Sequence, residues 1–232
     1  MPAHRFFLED LATPTLSGEE FHHLKNVMRA RPGETLELVD GKGTLAIAKV
    51  VRMANSEASL EIVQKTHTPS SSTRLILAQA LLRPSLLDWV IEKGTELGAT
   101  HFWLFPADFS EKKELTPHQL ARLEHIILSA LKQSGRLYLP SLEIHPPLSR
   151  WEKPGETLLF GSLKGPAKPL DKLSTSVIMA IGPEKGFSRE EHQILEGRLG
   201  GIGVRLNANT LRAETAALCA LSLLSGANLM LD

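Results

Sequence analysis

Ile181-Gly182-Pro183-Glu184-Lys185-Gly186-Phe187-Ser188 closes the apolar run that starts at Val177, and Leu206-Asn207-Ala208-Asn209-Thr210-Leu211-Arg212-Ala213-Glu214-Thr215 closes the run Val204–Leu206. Each run has the length and composition of a buried strand, and each loop leads into a helical pattern. Both segments therefore lie at the carboxyl end of a sheet, the edge at which open α/β sheets bind ligands. Read separately, neither segment is specific. Gly182 and Gly186 suit backbone that approaches an anionic or ribose-bearing ligand beside a helix N-terminus, but they equally suit a tight turn. Asn207, Asn209 and Thr210 can read an adenine edge or cap a helix. Gly200, Gly201 and Gly203 do not make a dinucleotide fingerprint, because they precede a strand instead of following one.

Outward from these loops the pattern alternates. Leu75–Ala80, His101–Phe105, Leu158–Phe160, Val177–Ile181 and Val204–Leu206 are predicted strands. Between them, Leu87, Val90, Ile91 and Leu97 share one helical face that stops at Gly98, Thr116-Pro117 opens a helix with proline at its first position, and Ser188 with Glu191 caps another. A final helix is expected from about Glu214 to Leu229. Strands separated by helices imply a mainly parallel sheet covered on both faces.

The first part of the chain differs. Short β-type runs at Arg5–Leu8, Glu34–Val39, Leu45–Val51 and Leu60–Val63, with Gly41-Lys42-Gly43 as a hairpin turn, predict a small β-barrel. One helix is expected within it, opened by a Ser17/Glu20 capping box and carrying Phe21, Leu24, Val27 and Met28 on its apolar face. The polar, Ser-rich stretch Thr66–Thr73 reads as a linker, dividing the chain into units over residues 1–70 and 73–232.

The 232 residues carry 26 Lys plus Arg against 26 Asp plus Glu, so no bulk polycation holds a nucleic acid. An RNA partner would need a local patch, for which Arg5, Lys25, Arg29 and Arg31 are the candidates, with scattered solvated charge as the alternative. Cys219 is the single cysteine, which excludes an internal disulfide and a Cys-rich zinc site; between Leu218 and Leu221 it reads as a packing residue. Adjacent His22 and His23 would point about 100° apart on a helix, so no metal site is expected. Trp89, Trp103 and Trp151 fall on different elements and make no stacking platform. Without a cationic apolar leader or a run of membrane-spanning length, no membrane association is expected and residence is expected to be cytoplasmic.

Five elements taken in order carry a family resemblance. His22-His23-Leu24 through Val27-Met28-Arg29 and Pro32-Gly33 is similar to an "H-x-x-x-V-L-R-x-x-x-G" pattern, with Asp40-Gly41 following; Lys93–Gly98 is similar to "K-x-x-E-L-G". Gln133-Ser134-Gly135-Arg136 matches "Q-S-G-R", Ile181–Ser188 resembles "I-G-P-E-G-G-F-S", and Leu211–Ala216 resembles "L-R-T-E-T-A". On these motifs the chain resembles the ribosomal RNA small subunit methyltransferase E family, SPOUT-class enzymes that methylate N3 of a uridine in 16S rRNA. The resemblance implies an N-terminal PUA-like barrel that binds RNA and a SPOUT α/β domain with a trefoil-knotted C-terminal chain. It also implies S-adenosylmethionine as cofactor, 16S rRNA within the small ribosomal subunit as partner, and a homodimer. Implied cofactor contacts are Ile181, Gly182, Pro183, Gly186, Leu206, Asn207, Asn209, Leu211 and Thr215.

Four departures from the family pattern are visible. Lys185 stands where the family has glycine, which restricts the loop's dihedrals or places a cation near the methyl donor's carboxylate. Asn207 replaces another glycine, where a left-handed turn is expected, and Asn209 replaces an arginine. Phe109-Ser110-Glu111-Lys112-Lys113 has Lys112 where the family's "S-E-R-S" element has arginine, keeping charge but losing bidentate geometry.

Methylation at N3 requires the uridine proton to leave or the resulting anion to be stabilised. Arg212 is the expected stabiliser of that anion or of its phosphate, Arg136 a second cation supplied by the other subunit, and Glu184 a weaker candidate base. Two rivals stand beside the methyltransferase: a non-catalytic rRNA-binding or ribosome-assembly protein on the same scaffold, and a nucleotide-dependent metabolic enzyme, for which no phosphate loop is recognisable.

Overall fold

The computed structural model describes residues 4–162 and 176–226. They form two compact units, one holding the chain up to Ser70 together with Leu131–Leu139, the other holding Ser71–Ala130 and the chain from Pro140 onward.

The first unit is a curled five-stranded sheet. Strands β1 (Arg5–Phe7), β2 (Thr15–Ser17), β3 (Thr35–Val39), β4 (Thr44–Met53) and β5 (Glu57–His67) lie in the order β1-β3-β4-β5-β2. The β3–β4 hairpin turns where expected, with Gly41 at φ 70° and Gly43 at φ 99°. Gly43 is obligatory on a second count, since a Cβ there would sit 2.2 Å from the Tyr138 hydroxyl. That tyrosine belongs to the returning Leu131–Leu139 segment, and its hydroxyl donates to the Thr68 carbonyl at 2.7 Å. The association of Leu131–Leu139 with this unit was not legible as a break at a single linker. Nor is all of Thr66–Thr73 linker, because Thr66 and His67 complete β5.

The helix of this unit departs from expectation twice. Ser17 ends strand β2, paired with Glu57, and its hydroxyl does not cap α1 (Gly18–His22); Glu20 instead forms an ion pair with Lys132. No capping box forms because the serine is held extended by its strand. Helix α1 then widens into a π turn over His23–Val27, closed by Met28 N–H to the His23 carbonyl at 3.0 Å. The wider turn shifts the apolar stripe, so Phe21 and Leu24 are buried while Val27 is 64% exposed.

The second unit is a six-stranded, wholly parallel sheet in the order β11-β9-β10-β6-β7-β8. Its strands are β6 (Leu75–Ala80), β7 (His101–Phe105), β8 (Ser141–Ile144), β9 (Thr157–Gly161), β10 (Val177–Ile181) and β11 (Ile202–Val204). Strands β6 and β10 are buried along their whole length, as continuous apolar runs at the centre of a parallel sheet should be. Alternate residues feed two cores. Leu75, Leu77, Val177 and Met179 pack with α2 (Pro84–Glu96) and α5 (Ala213–Gly226), while Ile76, Ala78, Ile178 and Ala180 pack with Trp151, Phe187 and Leu195 on the other face. Helix α3 runs from Pro117 to Ser134, as its proline start predicts.

Strand β8 was missed from sequence because its pattern is only half apolar at an exposed edge. Strand β11 starts earlier than predicted and ends at Val204, leaving Arg205 and Leu206 in the loop. Residues beyond Gly226, including the expected helix end at Leu229, lie outside the described residues.

Candidate active site

The carboxyl end of β9 and the loops that leave the neighbouring strands β10 and β11 line a cavity of about 220 Å³. Gly161 ends β9 and Ser162 follows it, residues 182–187 follow β10, and residues 205–211 follow β11, with Ala213 and Ala216 of α5 closing the wall.

The β10 loop is shaped by its glycines. Gly186 takes φ 74°, a left-handed conformation, and a Cβ built on it would meet no heavy atom within 4 Å. Its backbone therefore faces open space on the cavity side. Gly182 is the opposite case, since a Cβ there would lie 3.1 Å from the Gly186 carbonyl carbon and 3.1 Å from the Phe187 nitrogen. Lys185 causes no strain, because Arg29 is the only non-glycine residue with positive φ among those described. The expected restriction of the loop by Lys185 is thus absent.

The loop is held from below at its far end. Ser188 caps α4 (Arg189–Gln193) by accepting from Glu191 N–H at 3.1 Å, and Glu191 returns the bond by accepting from Ser188 N–H at 2.9 Å, so the predicted capping box forms. The second Glu191 oxygen accepts from Asp108 N–H at 3.0 Å, and the Ser188 hydroxyl donates to the Asp108 carboxylate. Burial pushes the Glu191 carboxyl above its ordinary range, against the two backbone donors that favour the charged form. Lys113 spends its ammonium on the Ala107 and Asp108 carbonyls, so within the Ser110–Lys113 element it is a loop clamp.

The β11 loop is built from its own side chains. Arg205 donates to the Asn207 carbonyl at 3.1 Å and the Ala208 carbonyl at 2.6 Å, and Asn207 Oδ1 accepts from Asn209 N–H at 3.0 Å. Asn207 does not occupy the left-handed region expected of a glycine replacement; it makes a local side-chain turn instead. Cys219 is half-buried, its Sγ 3.6 Å from the Leu206 carbonyl, so it packs under this loop without being fully enclosed.

Eight of the nine residues expected to contact cofactor line the cavity: Ile181, Gly182, Pro183, Gly186, Leu206, Asn207, Asn209 and Leu211. Thr215 does not; it is exposed on the first turn of α5, turned from the wall that Ala213 and Ala216 make. Of the three expected catalytic residues, Glu184 lines the cavity but is committed elsewhere, accepting from Arg83 N–H at 3.3 Å with the Arg83 guanidinium 3.8 Å away. This carboxylate ties the β10 loop to the start of α2. Arg212 is exposed between lining residues Leu211 and Ala213 without lining the cavity itself. Arg136 sits in the Leu131–Leu139 segment of the first unit and does not line the cavity; burial lowers its guanidinium to about 10.

Thr210, expected with Asn207 and Asn209 to read an adenine edge or cap a helix, lines the cavity, and so do Gly161, Ser162, Phe187, Val204, Arg205, Ala213 and Ala216, which were not singled out from sequence. The signal for Gly161 and Ser162 existed in principle, since they directly follow the predicted strand Leu158–Phe160, but only the sheet order reveals that β9 lies beside β10.

In the first unit, Arg5 leaves the expected RNA-binding patch. Its side chain is 9% exposed and its guanidinium pairs with Glu37 across β1 and β3 at 2.7 Å, so it is a structural ion pair. Lys25, Arg29 and Arg31 are exposed, Lys25 with its ammonium 5.3 Å from the Phe21 ring centre. Arg29 carries φ 55°. No cluster of metal-binding side chains occurs among the described residues, and no described helix is long and apolar enough to cross a membrane.

Residues 69–225 match an RNA methyltransferase domain and residues 16–63 an RNA methyltransferase PUA domain. Ribosomal RNA small subunit methyltransferase E of Bacillus subtilis is 29% identical over 94% of this chain and 91% of its own length. The same enzyme of Aquifex aeolicus is 30% identical over 79% of this chain and 82% of its own. The crystal structure of the Neisseria gonorrhoeae ribosomal RNA small subunit methyltransferase E bound to S-adenosyl methionine superposes with a TM-score of 0.83 at 28% identity, covering 95% of each chain. Matched along both units in sequence and across nearly its whole length in fold, the chain belongs to the ribosomal RNA small subunit methyltransferase E family, RNA methyltransferases of the SPOUT type with a PUA-like barrel.

Proposed function

We propose that this protein transfers a methyl group from S-adenosylmethionine to 16S rRNA, at N3 of a uridine, and that the β9–β10–β11 cavity holds the methyl donor. The observation that carries this reading is the cavity itself: an apolar wall from Ile181, Val204, Leu206, Leu211 and Ala216 beside a stretch of open backbone at Gly186. Such a wall suits a flat adenine, and open backbone suits ribose and amino-acid groups. The residues present therefore fit the cofactor. Bound there, S-adenosylmethionine supplies a methyl group already activated on a sulfonium, so no protein nucleophile is needed.

What the chain supplies is position and charge. Gly182–Gly186 and Asn207–Leu211 fix the donor from two sides. Arg212, exposed at the start of α5 beside the cavity rim, stabilises the uridine anion left when the N3 proton passes to solvent, or grips the adjoining phosphate. Arg136 serves as a second cation delivered by the other subunit of a homodimer. Lys25, Arg29 and Arg31 form the reduced RNA patch. Assembly into the small ribosomal subunit as the substrate, a knotted threading of the C-terminal chain and a cytoplasmic location belong to the same proposal, as does the division of labour between an RNA-binding unit ending near residue 70 and a catalytic unit beginning near residue 73.

Calorimetry with S-adenosylmethionine separates this reading from a non-catalytic RNA-binding protein. One site per chain is expected, and a protein that binds small-subunit RNA but no cofactor would overturn the enzyme reading. Arg212→Ala is expected to keep cofactor affinity and lose methyl transfer by about 10²-fold or more; wild-type transfer would remove Arg212 from the mechanism.

A further inference from the structure

Gln79 is the one polar side chain in strand β6, whose other residues are Leu75, Ile76, Leu77, Ala78 and Ala80. It is completely buried. Alternation puts it on the same face as Leu75 and Leu77, the face covered by α2 and α5. Its amide nitrogen donates to the Ala80 carbonyl at 3.0 Å and lies 3.5 Å from the Ile181 carbonyl and 3.4 Å from the Gly182 carbonyl. Its amide oxygen has no partner among the described residues. Turning the amide over would set that oxygen against three carbonyl oxygens, so the orientation is fixed by the carbonyls.

Core stability does not call for this amide. A leucine or methionine fills similar space and leaves no orphaned acceptor in an apolar sheet. The placement supplies a different reason. Gln79 and Ile181 are the last register pair of β6 and β10, and beyond it the β10 chain leaves the ladder for the cavity loop. The Ile181 and Gly182 carbonyls therefore emerge where no strand neighbour remains to orient them, and the Gln79 amide stands in for that neighbour. Gly182 in turn packs closely against the Gly186 and Phe187 backbone, which a Cβ added to it would approach to 3.1 Å. Orientation set at Ile181 and Gly182 is passed on to Gly186, whose backbone faces the cavity.

We infer that Gln79 is a positioning residue of the methyl-donor site, holding the β10 loop in its binding conformation from beneath without touching the ligand. The inference rests on the cofactor reading proposed above.

The test is S-adenosylhomocysteine affinity by calorimetry, alongside the melting temperature of the unliganded protein, for wild type, Gln79→Leu and Gln79→Glu between pH 5 and 9. Gln79→Leu is expected to melt at or above wild type while its affinity falls about tenfold, the size of one or two lost orienting hydrogen bonds. In Gln79→Glu a protonated carboxyl still offers an O–H to the carbonyls, whereas an ionised one repels them. Its affinity is therefore expected to fall as pH rises, with wild type flat over the same range. Wild-type affinity in Gln79→Leu overturns the inference. So does loss that follows melting temperature alone in both variants with no pH dependence. If wild type itself binds no S-adenosylhomocysteine, it is the cofactor reading that fails, and the inference with it.

Discussion

Replacing Gly186 with alanine separates the two demands made on the cavity loop. At φ 74° an L-residue pays for the left-handed conformation, about 1–2 kcal/mol. No clash adds to this, because nothing lies within 4 Å of the new Cβ. Each kcal/mol lowers the melting temperature of a unit of this size by about 2–4 °C, so Gly186→Ala should melt about 2–8 °C below wild type. Gly186→Asn should recover part of that loss, since asparagine tolerates the left-handed region. Both variants, however, place side-chain atoms over backbone that lines the cavity, so both should weaken S-adenosylhomocysteine binding, asparagine at least as much as alanine. Scanning calorimetry with and without ligand reads both effects. An alanine variant as stable as wild type, or an asparagine variant that binds normally, would refute the reasoning: the first its backbone part, the second its placement of the ligand.

Other consequences follow from neighbouring residues. Lys185→Gly should weaken S-adenosylhomocysteine about two- to fivefold, the worth of one exposed cation, and leave 5′-methylthioadenosine, which lacks the carboxylate, unchanged; equal losses for both ligands would mean that Lys185 does not meet the carboxylate. Arg29→Gly relieves the left-handed strain at φ 55° and should stabilise the first unit by about 1 kcal/mol while lowering RNA affinity and its salt dependence; unchanged RNA affinity would remove Arg29 from the patch. Because burial raises the Glu191 carboxyl, the folded protein keeps a proton over a range in which the unfolded chain has lost it, and stability falls as pH rises through that range. Glu191→Gln does not titrate, so the margin of wild type over this variant in urea unfolding should shrink from about pH 4 upward; a margin that widens would contradict the direction of the shift.

What was legible in the sequence and what was not divide along physical lines. Strands β6 and β10 announce themselves because a strand buried on both faces is apolar throughout, and the Ser188/Glu191 box is a local pattern that forms locally. The Ser17/Glu20 pattern is the same local signal overruled by distant partners, Glu57 across the sheet and Lys132. Val27 could not be placed because a π turn changes the period on which the helical stripe depends. The cavity loops were found by their position after strands, yet Gly161, Ser162 and Ala216 join them only through strand order and helix docking, which no local pattern encodes. Arg5 and Glu184 look alike in sequence, charged residues near motifs, and each proves to be tied to an opposite charge.

Methyl transfer to RNA is the activity on which every assigned role depends. Small ribosomal subunits carrying unmodified 16S rRNA, incubated with the protein and S-adenosylmethionine labelled in its methyl group, should take up one label per particle, recovered after digestion as 3-methyluridine. Label in another nucleoside would contradict the assignment to N3, and cofactor binding without label in the RNA would contradict the proposed activity.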